Sequence, residues 1–447
     1  MPKKHSPLVH FIGIGGIGVS SLARWFSAQK WAISGSDIAE SSITQGLRKE
    51  GYKVKIGHKR RNLSPRAGLV IYNQAIPESN PERRASRRFK IPMLSYPQAI
   101  GILTHVYKTV AIAGAHGKST TTALATLILQ KGGLDPTVII GTNLKEFGSK
   151  NFRIGRSSYL ILEADEWKGS FWHYSPFVSV VTNIDNEHLD FYKNLTNVKR
   201  SFLRFLGHTK DGGVLILNRD DQNLVSLRRK ITSIARKKNL RIRWYTLEQS
   251  EARKIKSVIR IPGSHNISNA LAALTVGQVF RIPEKKILRA ISSYRGAWRR
   301  MEYRGKFHRA LVFDDYAHHP TEIKATIKAF REKYPEKTIL CVFQPHQAKR
   351  LAKLFKEFQT AFDAAHETLI LPSYEVPGRD TRTLTHDAKE LVRAIQKQQP
   401  KKLIFYLEKP ENLAKAVSAL RSPLPRKIII MMGAGDIANY TKLLLEK

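Results

Sequence analysis

Short apolar segments recur along the chain, and each is followed by a glycine-rich or polar segment and then by residues with helical spacing. Continuous apolar and β-branched runs of this length are typical of strands buried on both faces of a parallel sheet, with helices as connections. The pattern therefore predicts an α/β fold. The predicted strands are 8–12, 31–37, 69–72, 109–113, 159–162, 177–181, 310–313, 338–343 and 427–432.

Residues 114–120, with the sequence GAHGKST, join an apolar strand to a helix-like run. Glycines let the backbone approach phosphate oxygens, and the first N–H groups of a helix point at a bound anion. On this interpretation Lys118 reaches the β- and γ-phosphates of ATP, and the Ser119 hydroxyl holds Mg²⁺. The loop is shorter than the general phosphate-loop pattern, and a glycine-rich turn before a helix is often only structural. The flanking strand and helix favour ATP binding.

Acidic and imidazole groups follow the next two predicted strands. Glu163 comes directly after one of them, and His188 follows the other. Ligands gather at the carboxyl ends of parallel strands, so we expect both side chains beside the phosphate loop. Mg²⁺ prefers oxygen ligands, which favours Glu163, whereas His188 is a less usual ligand and could be a hydrogen-bonding group instead. Asp165 and Glu166 are either supporting groups of this site or solvated acids.

The first predicted strand leads into a loop with three spaced glycines, Gly13, Gly15 and Gly18. A helix is predicted from Ser20, and the next strand ends in Asp37. This spacing is that of a dinucleotide-type βαβ unit, in which a diphosphate rests on the start of the helix. Asp37 could bind a ribose hydroxyl or cap the following helix, and the spacing does not decide between the two.

In the last third of the chain, three apolar strands each end in a polar cluster, which indicates another Rossmann-like sheet with its active edge at the strand ends. A helix is predicted from Thr321, with Thr321 as its cap. Upstream, His265 and Asn266 open a helix, where they could hydrogen-bond a base or cap the helix, and 294–302 is predicted to be a basic linker whose arginines could meet phosphate. The three clusters are 314–320 (DDYAHHP), 344–346 (QPH) and 433–436 (GAGD).

Together these signals predict three domains in series. They are an N-terminal Rossmann-like domain over 1–105, a central domain with a P-loop ATPase-type sheet over 106–297, and a C-terminal Rossmann-like domain over 298–447.

The formal net charge of +40 is extreme and would attract nucleic acid, anionic lipid or acidic metabolites. The basic clusters, at 59–61, 83–90 and 228–238, lack interleaved aromatic residues, so we interpret them as solvated helix and loop faces and not as a specific nucleic-acid site. One cysteine in 447 residues fits a reducing cytoplasm. We do not expect a signal peptide after the basic N-terminus, 1–5, and no apolar run approaches the roughly 20 residues of a membrane span.

The motifs in combination resemble the Mur ligase family over nearly the whole chain. Nine matches occur in order: 10–18 (HFIGIGGIG), 114–120 (GAHGKST), 163–166 (EADE), 182–184 with 188–190 (TNI, HLD), 265–266 with Asn269, Arg299-Arg300, 314–316 with 318–320 (DDY, HHP), 343–346 (FQPH) and 433–436 (GAGD).

This resemblance implies a role for each matched residue. It implies UDP-sugar binding at Gly13, Gly15, Gly16, Gly18, Ser36 and Asp37. It implies ATP binding at Gly114, Ala115, His116, Gly117, Lys118, Ser119, Thr120, His265, Asn266, Asn269, Arg300 and Asp315. Mg²⁺ is implied at Ser119, Glu163 and His188, and the amino acid and reacting carboxylate at Tyr316, His318, His346 and Arg350. Lys118 and His318 are the implied catalytic residues.

The sequence departs from the family pattern at four positions. Ala115 and Ser119 each replace a usual threonine, and Glu187 replaces a usual aspartate before the histidine. The family usually has arginine after the histidine of the QPH motif, whereas this chain has Gln347, with Lys349 nearby as a point charge that lacks the bidentate fork. This last change leaves the identity of the amino acid open.

The resemblance implies ATP-dependent joining of L-alanine to the lactyl carboxylate of UDP-N-acetylmuramate through an acyl phosphate, giving ADP and phosphate. This is a cytoplasmic step of peptidoglycan precursor synthesis, and we expect a monomer or weak homodimer with no membrane partner. One alternative is a ligase of the same family that adds a preformed tripeptide to the same UDP-sugar. Two others are a basic nucleic-acid-binding ATPase and an NAD-dependent oxidoreductase, each of which explains only part of the motif set.

Overall fold

The computed structural model describes residues 6–374, 387–420 and 423–446, so the basic N-terminus over 1–5 lies outside the described residues. The described chain contains three sheets with helices between their strands, which confirms the predicted three-domain α/β fold. It divides into two compact units, 1–258 with 268–294 and 259–267 with 295–447. The first unit holds the first two sheets, and the second unit holds the third. The exact domain boundaries stay a prediction.

The N-terminal sheet is parallel throughout, with the order β3-β2-β1-β4-β5. Its elements are β1 (Leu8–Ile12), α1 (Ile17–Ala28), β2 (Ala32–Asp37), α2 (Ser42–Lys49), β3 (Lys53–Ile56), β4 (Leu69–Tyr72), α3 (Pro81–Arg88), β5 (Met93–Ser95) and α4 (Tyr96–Val106). The central strand β1 is almost wholly buried because its residues are apolar or, like His10, paired inside the core. Helix α1 begins three residues earlier than predicted, at Ile17.

The central sheet has the order β12-β11-β10-β6-β9-β7-β8, and all its strand pairs are parallel except β7 with β8. Its strands are β6 (Lys108–Ala113), β7 (Thr137–Leu144), β8 (Lys150–Arg153), β9 (Tyr159–Glu163), β10 (Val178–Val181), β11 (Val214–Asn218) and β12 (Arg241–Tyr245). Its helices are α5 (Lys118–Lys131), α6 (Leu189–Tyr192), α7 (Leu195–Gly207), α8 (Gln222–Ser226), α9 (Arg228–Lys237), α10 (Ser250–Val258), α11 (Ser264–Val279) and α12 (Glu284–Ser293).

The register of this sheet brings three strand ends together. Strand β6 lies between β10 and β9, with Ala113 opposite Val181 and Ile112 opposite Glu163. The segments that leave β6, β9 and β10 therefore start at the same edge of the sheet, which is where a parallel sheet collects ligands.

The C-terminal sheet has the order β13-β14-β18-β15-β16-β17, and only β13 with β14 is antiparallel. Its strands are β13 (Glu302–Phe307), β14 (Ala310–Asp315), β15 (Thr338–Phe343), β16 (Glu367–Ile370), β17 (Leu403–Tyr406) and β18 (Lys427–Met432). Its helices are α13 (Pro320–Lys333), α14 (Ala348–Lys353), α15 (Phe355–Gln359), α16 (Ala388–Gln398), α17 (Leu413–Ala419) and α18 (Ile437–Leu445).

Two local predictions were wrong. Helix α13 is capped by the imidazole of His319, which accepts a hydrogen bond from Thr321 N at 3.3 Å, and not by Thr321. Pro320 occupies the first helical position, where its missing N–H costs nothing. Arg83 does not lie on a solvated face: it is buried, with its guanidinium 4.0 Å from the centre of the Tyr72 ring.

Among the described residues, no helix is both long enough and apolar enough to cross a membrane.

A buried ion pair crosses the C-terminal sheet from β18 to β16. Lys427 Nζ lies 2.9 Å from Glu367 Oε2, and both side chains are at most 1% exposed. Strand β15 lies between the two strands, so the ion pair reaches across β15. Removing one member of such a pair leaves a buried charge without its counter-ion.

We expect Lys427→Met to lower the free energy of unfolding by about 3–5 kcal/mol, because Glu367 would stay buried without its counter-ion. The double variant Lys427→Met/Glu367→Leu should recover most of this loss, since it removes both charges. Urea unfolding of the intact chain, followed by circular dichroism, measures both. Lys254→Met, which breaks the exposed pair with Glu284, is the control and should leave the midpoint unchanged. A single variant as stable as the unmodified chain would contradict the expectation.

Candidate active site

The loop between β6 and α5 is shaped by two glycines at which a side chain would clash. At Gly114, with φ +144°, a Cβ atom would lie 2.0 Å from Thr182 Oγ1. At Gly117, with φ +82°, it would lie 2.2 Å from Asn269 Oδ1. Both φ values are positive and lie in a range that favours glycine over residues with a side chain. The loop can therefore fold tightly against its neighbours and present backbone N–H groups, as a phosphate-binding turn requires.

Side chains that follow β10 fix the middle of this loop. Asn183 Oδ1 accepts a hydrogen bond from His116 N at 2.8 Å, and Asn183 Nδ2 donates to His116 O at 3.0 Å. The Thr182 hydroxyl donates to the same carbonyl at 2.6 Å. The His116 ring reaches Asp185, with Nε2 to Oδ2 at 3.0 Å. The loop backbone is thus held by its neighbouring strand before any ligand binds.

The ammonium group of Lys118 has three acceptors within the loop and beside it. It donates to Gly114 O at 2.6 Å, to Ala115 O at 3.2 Å and to Glu166 Oε2 at 2.9 Å. Burial acts to lower the pKa of Lys118, but the Glu166 carboxylate opposes burial and holds that pKa above its usual value. Lys118 is therefore a permanent positive charge at the start of α5.

Ser119 and Glu163 form the oxygen-rich side of the loop. The Ser119 hydroxyl donates to Glu163 Oε1 at 3.0 Å, and the backbone N–H of Gly141 donates to Glu163 Oε2 at 2.7 Å. A hydroxyl and a carboxylate side by side are donors of the kind that Mg²⁺ selects, so these two residues fit the implied metal.

His188 lies beside Glu166, the acidic partner of Lys118. It has a left-handed backbone, with φ +53°, and starts the short helix α6. Its Nε2 atom is 3.7 Å from Glu166 Oε1. Asp165, Glu166 and His188 offer ligand atoms within 4.8 Å of one another. The structure thus pairs two of the implied metal ligands, Ser119 and Glu163, and places the third, His188, against Glu166.

The glycine-rich loop after β1 packs closely against three side chains. A Cβ atom on Gly15, Gly16 or Gly18 would lie less than 3.0 Å from Asp37, Asn73 or Tyr96, respectively. Asp37 Oδ2 accepts a hydrogen bond from Gly15 N at 2.7 Å. Asp37 does not cap the next helix, because Ser41 caps α2. Of the two interpretations of Asp37, the capping one was therefore wrong.

A buried carboxylate braces the strand that leads to Asp37. The Glu82 side chain is fully buried and accepts the hydroxyl of Ser36 at 2.6 Å, so Ser36 is committed to this network. Burial alone would raise the pKa of Glu82, but its hydrogen bonds outweigh burial and hold that pKa well below its usual range. His10 and Asn62 also hydrogen-bond to the Glu82 carboxylate, and His58 Nδ1 lies 3.6 Å from its Oε1 atom.

In the C-terminal unit, Asp315 organises the end of β14. Its two carboxylate oxygens accept hydrogen bonds from Met301 N at 2.8 Å and Ala317 N at 2.9 Å, and burial raises its pKa. The two neighbouring arginines differ in role. Arg299 is buried and binds the carbonyls of 433 and 435, whereas Arg300 is partly exposed, with its guanidinium 5.2 Å from the centre of the Tyr316 ring.

Imidazole rings meet at the ends of β14 and β15. The centres of the His318 and His346 rings are 6.0 Å apart, and His346 stacks on Tyr374. His318 Nδ1 lies 3.0 Å from Tyr316 O. Arg350 Nη1 lies 3.4 Å from His346 O. The four residues implied at the amino acid are therefore neighbours at one sheet edge.

The residues at the start of α11 have separate surroundings. Asn269 lies beside Gly117 of the loop, and Asn266 Nδ2 donates to Pro262 O at 2.6 Å. Burial lowers the pKa of His265 to about 4, so its ring is neutral near pH 7.

The whole chain matches one family of proteins. Residues 8–108 match the Mur ligase family catalytic domain, 112–277 the Mur ligase middle domain, and 299–435 the Mur ligase glutamate ligase domain. The UDP-N-acetylmuramate–L-alanine ligase of Desulfatibacillum aliphaticivorans is 35% identical over 450 residues, which cover 97% of each chain.

The chain belongs to the Mur ligase family.

Two solved structures share the fold of this Mur ligase. The UDP-N-acetylmuramate–alanine ligase of Thermotoga maritima has a TM-score of 0.79 at 24% identity and covers 98% of each chain. A murein peptide ligase of Psychrobacter arcticus has a TM-score of 0.69 at 21% identity and covers 99% of this chain and 98% of that chain. As a Mur ligase, the protein is an ATP-dependent enzyme that forms amide bonds. This supports the ligase interpretation over the nucleic-acid-binding ATPase and the oxidoreductase.

Sequence reasoning missed several polar residues of the loop region. Thr182 and Asn183 belong to a matched motif but received no role, and Asp185 was not singled out, although their place after β10 already put all three beside the loop. The sequence does not decide whether Glu166 supports the site or is a solvated acid. In the structure its side chain is 1% exposed and paired with Lys118. The sequence signal for Glu166 was weak, because the burial of one acid in EADE depends on the turn that follows β9.

Gly117→Ala is expected to weaken ATP binding about tenfold or more, because the new methyl group would collide with Asn269 and strain a left-handed backbone. Gly133→Ala is the matched control: Gly133 follows the same helix with φ +90°, but no atom lies within 4 Å of its Cβ position. Both variants should lose about 1 kcal/mol of stability from backbone strain, and only the first should lose nucleotide affinity. Calorimetric titration with ADP separates the two effects. Equal affinities in the two variants would refute the role of the turn.

Proposed function

We propose that this Mur ligase joins L-alanine to the lactyl carboxylate of UDP-N-acetylmuramate, with cleavage of ATP to ADP and phosphate. The observation that carries the chemistry is the meeting of Lys118, Ser119 and Glu163 at one edge of the central sheet. The substrates come from the curated relatives, which are named for this reaction and match nearly the whole chain. The step would supply a precursor of peptidoglycan.

The first half-reaction makes the carboxylate electrophilic. A lactyl carboxylate oxygen attacks the γ-phosphorus of ATP, the bond to the β-phosphate oxygen breaks, and ADP leaves with the electron pair. The protein contributes position and charge to this transfer and little covalent chemistry. Lys118 would meet the β- and γ-phosphates, and the N–H groups of the glycine turn would donate hydrogen bonds to the phosphate oxygens.

Mg²⁺ fits the pair formed by Ser119 and Glu163, and His188, which lies against Glu166, is the third implied ligand. When bound, the ion would offset the negative charge that develops on the transferred phosphate. The chain's own contribution is to hold the hydroxyl and the carboxylate at the end of β9, where the register places them beside the loop.

The second half-reaction forms the amide. The neutral amine of L-alanine attacks the acyl carbon, phosphate leaves, and the amine loses a proton. His318 is proposed to position the amine or accept this proton, with Tyr316, His346 and Arg350 around the amino acid and carboxylate. The contact of its Nδ1 atom with Tyr316 O orients the His318 ring beside Tyr316 and His346, two of the residues implied at the amino acid.

The remaining assignments are also proposals. Gly13, Gly15, Gly16, Gly18 and Asp37 would hold the UDP-sugar, with Ser36 acting through its bond to Glu82. His265, Asn266, Asn269, Arg300 and Asp315 would contact the nucleotide.

Phosphate release from ATP is expected to require both UDP-N-acetylmuramate and L-alanine, because neither half-reaction proceeds without its acceptor. Glycine, L-serine and the tripeptide are offered separately, and Lys118→Ala should abolish release. Release with the tripeptide alone would assign the chain to the tripeptide-adding activity, the outcome that the Gln347 departure leaves open. Release that ignores the sugar and responds to nucleic acid would refute the proposal.

Glu163→Gln is expected to lower kcat about 100-fold and to raise the Mg²⁺ concentration needed for half-maximal rate, since an amide is a poorer ligand than a carboxylate. Initial rates over a Mg²⁺ titration measure both changes. Glu146→Gln removes an exposed acid of the same domain and serves as the control. An unchanged Mg²⁺ requirement in Glu163→Gln would remove Glu163 from the metal site.

A further inference from the structure

One buried carboxylate touches two residues that were assigned separate roles. Glu166 lies 2.9 Å and 3.2 Å from the Lys118 ammonium through its two oxygens, and 3.7 Å from His188 Nε2 through Oε1. Its side chain is 1% exposed. Nothing in the proposed function uses this residue, although it stands between the phosphate lysine and the metal histidine.

The backbone of Glu166 is anchored as firmly as its side chain. Its carbonyl accepts hydrogen bonds from the Tyr192 hydroxyl and from Gly169 N, the latter at 2.9 Å. Tyr192 is buried, and its oxygen accepts the Ser201 hydroxyl at 3.0 Å. Tyr192 is the last residue of α6, the helix that follows His188. This segment therefore contacts Glu166 twice, at the carboxylate through His188 and at the backbone carbonyl through Tyr192.

The three acceptors of Lys118 are of two kinds. Gly114 O and Ala115 O belong to the loop that receives phosphate, so a bound phosphate can take their place as acceptors. Glu166 belongs to the segment after β9 and can keep its hydrogen bond while the ammonium turns toward phosphate. A lysine side chain is a flexible four-carbon stem, and a fixed carboxylate at its end removes that freedom before the reaction.

We propose that Glu166 is a positioning residue that aims Lys118 at the transferred phosphate. The proposal rests on the function proposed above for Lys118. Glu166 donates no proton and need not touch the nucleotide. Its effect is to hold the ammonium of the loop lysine in one direction, so that this positive charge is in place when the phosphoryl group moves.

This role predicts a separation of catalysis from binding. Because the Glu166 carboxylate draws the Lys118 ammonium away from bound phosphate, its removal should slightly improve nucleotide affinity. Catalysis should fall, because Lys118 would lose the acceptor that fixes its direction. A merely structural residue would instead weaken binding and rate together, and a metal ligand would change the Mg²⁺ requirement.

The test compares Glu166→Gln, which keeps the shape and removes the charge, with the unmodified enzyme. We expect kcat to fall about 100-fold, with the KM for ATP unchanged or lower and the Mg²⁺ requirement unchanged. Asp165→Asn removes the same charge from the exposed neighbour and should lower kcat much less. A kcat within twofold of the unmodified enzyme, or a rise in the KM for ATP that matches the fall in kcat, would overturn the proposal.

A second measurement does not depend on turnover. Calorimetric titration with ADP, in the presence of a chelator, is made for Glu166→Gln in the unmodified and Lys118→Met backgrounds. If Glu166 acts through Lys118, its replacement changes ADP affinity only where Lys118 is present. Equal changes in both backgrounds would refute the positioning role. Failure of the unmodified enzyme to release phosphate with any UDP-sugar would count against the proposed function, while this binding cycle would still decide the role of Glu166.

Discussion

The phosphate loop depends on the close approach of Gly114 to the end of β10. The space that a side chain would need at Gly114 is already filled by Thr182, whose hydroxyl supports the loop carbonyl of His116. The parallel register that aligns Ala113 with Val181 sets this approach. Strand β6, which carries Ala113, also pairs with β9 on its other side. The pairing of these three strands therefore fixes the loop, its supporting polar residues and Glu163 in one arrangement.

Buried charges in this protein occur with partners, and the partners determine geometry more than stability. Lys118 is paired with Glu166, and Glu82 receives hydrogen bonds from surrounding side chains. Such pairs gain little net free energy, since desolvation offsets their attraction, but they allow few alternative arrangements. The ion pair between Lys427 and Glu367 follows the same rule, but it joins the first residues of β18 and β16 and so lies away from the carboxyl ends of these strands. These buried interactions therefore share one effect, which is to fix a charge in position. Whether a pair serves catalysis depends on where it lies in the fold.

The sequence predicted the parts of the fold that are governed by continuous apolar runs. Strands β1, β6, β10, β15 and β18 were predicted close to their observed bounds, because each is buried on both faces. Strand β3 was missed, since its lysines make it look like a loop. At the site, Lys118, Ser119 and Glu163 were found from motif spacing, whereas the burial of Glu166 and Arg83 was not. A charged side chain is buried only when the fold brings a partner that is distant in sequence next to it, and the sequence alone does not identify that partner.

The net charge of +40 says little about the site. The edge of the central sheet gathers Glu163, Asp165, Glu166 and Asp185, in a chain with more than twice as many basic as acidic residues. A site for a magnesium nucleotide needs carboxylates for the ion and a few fixed cations for the phosphates. Lys118, held by Glu166, is such a cation, and beside it the His116 ring is held by Asp185. The surplus of lysine and arginine lies outside this arrangement, so it gives no reason to assign a nucleic-acid partner to the catalytic edge.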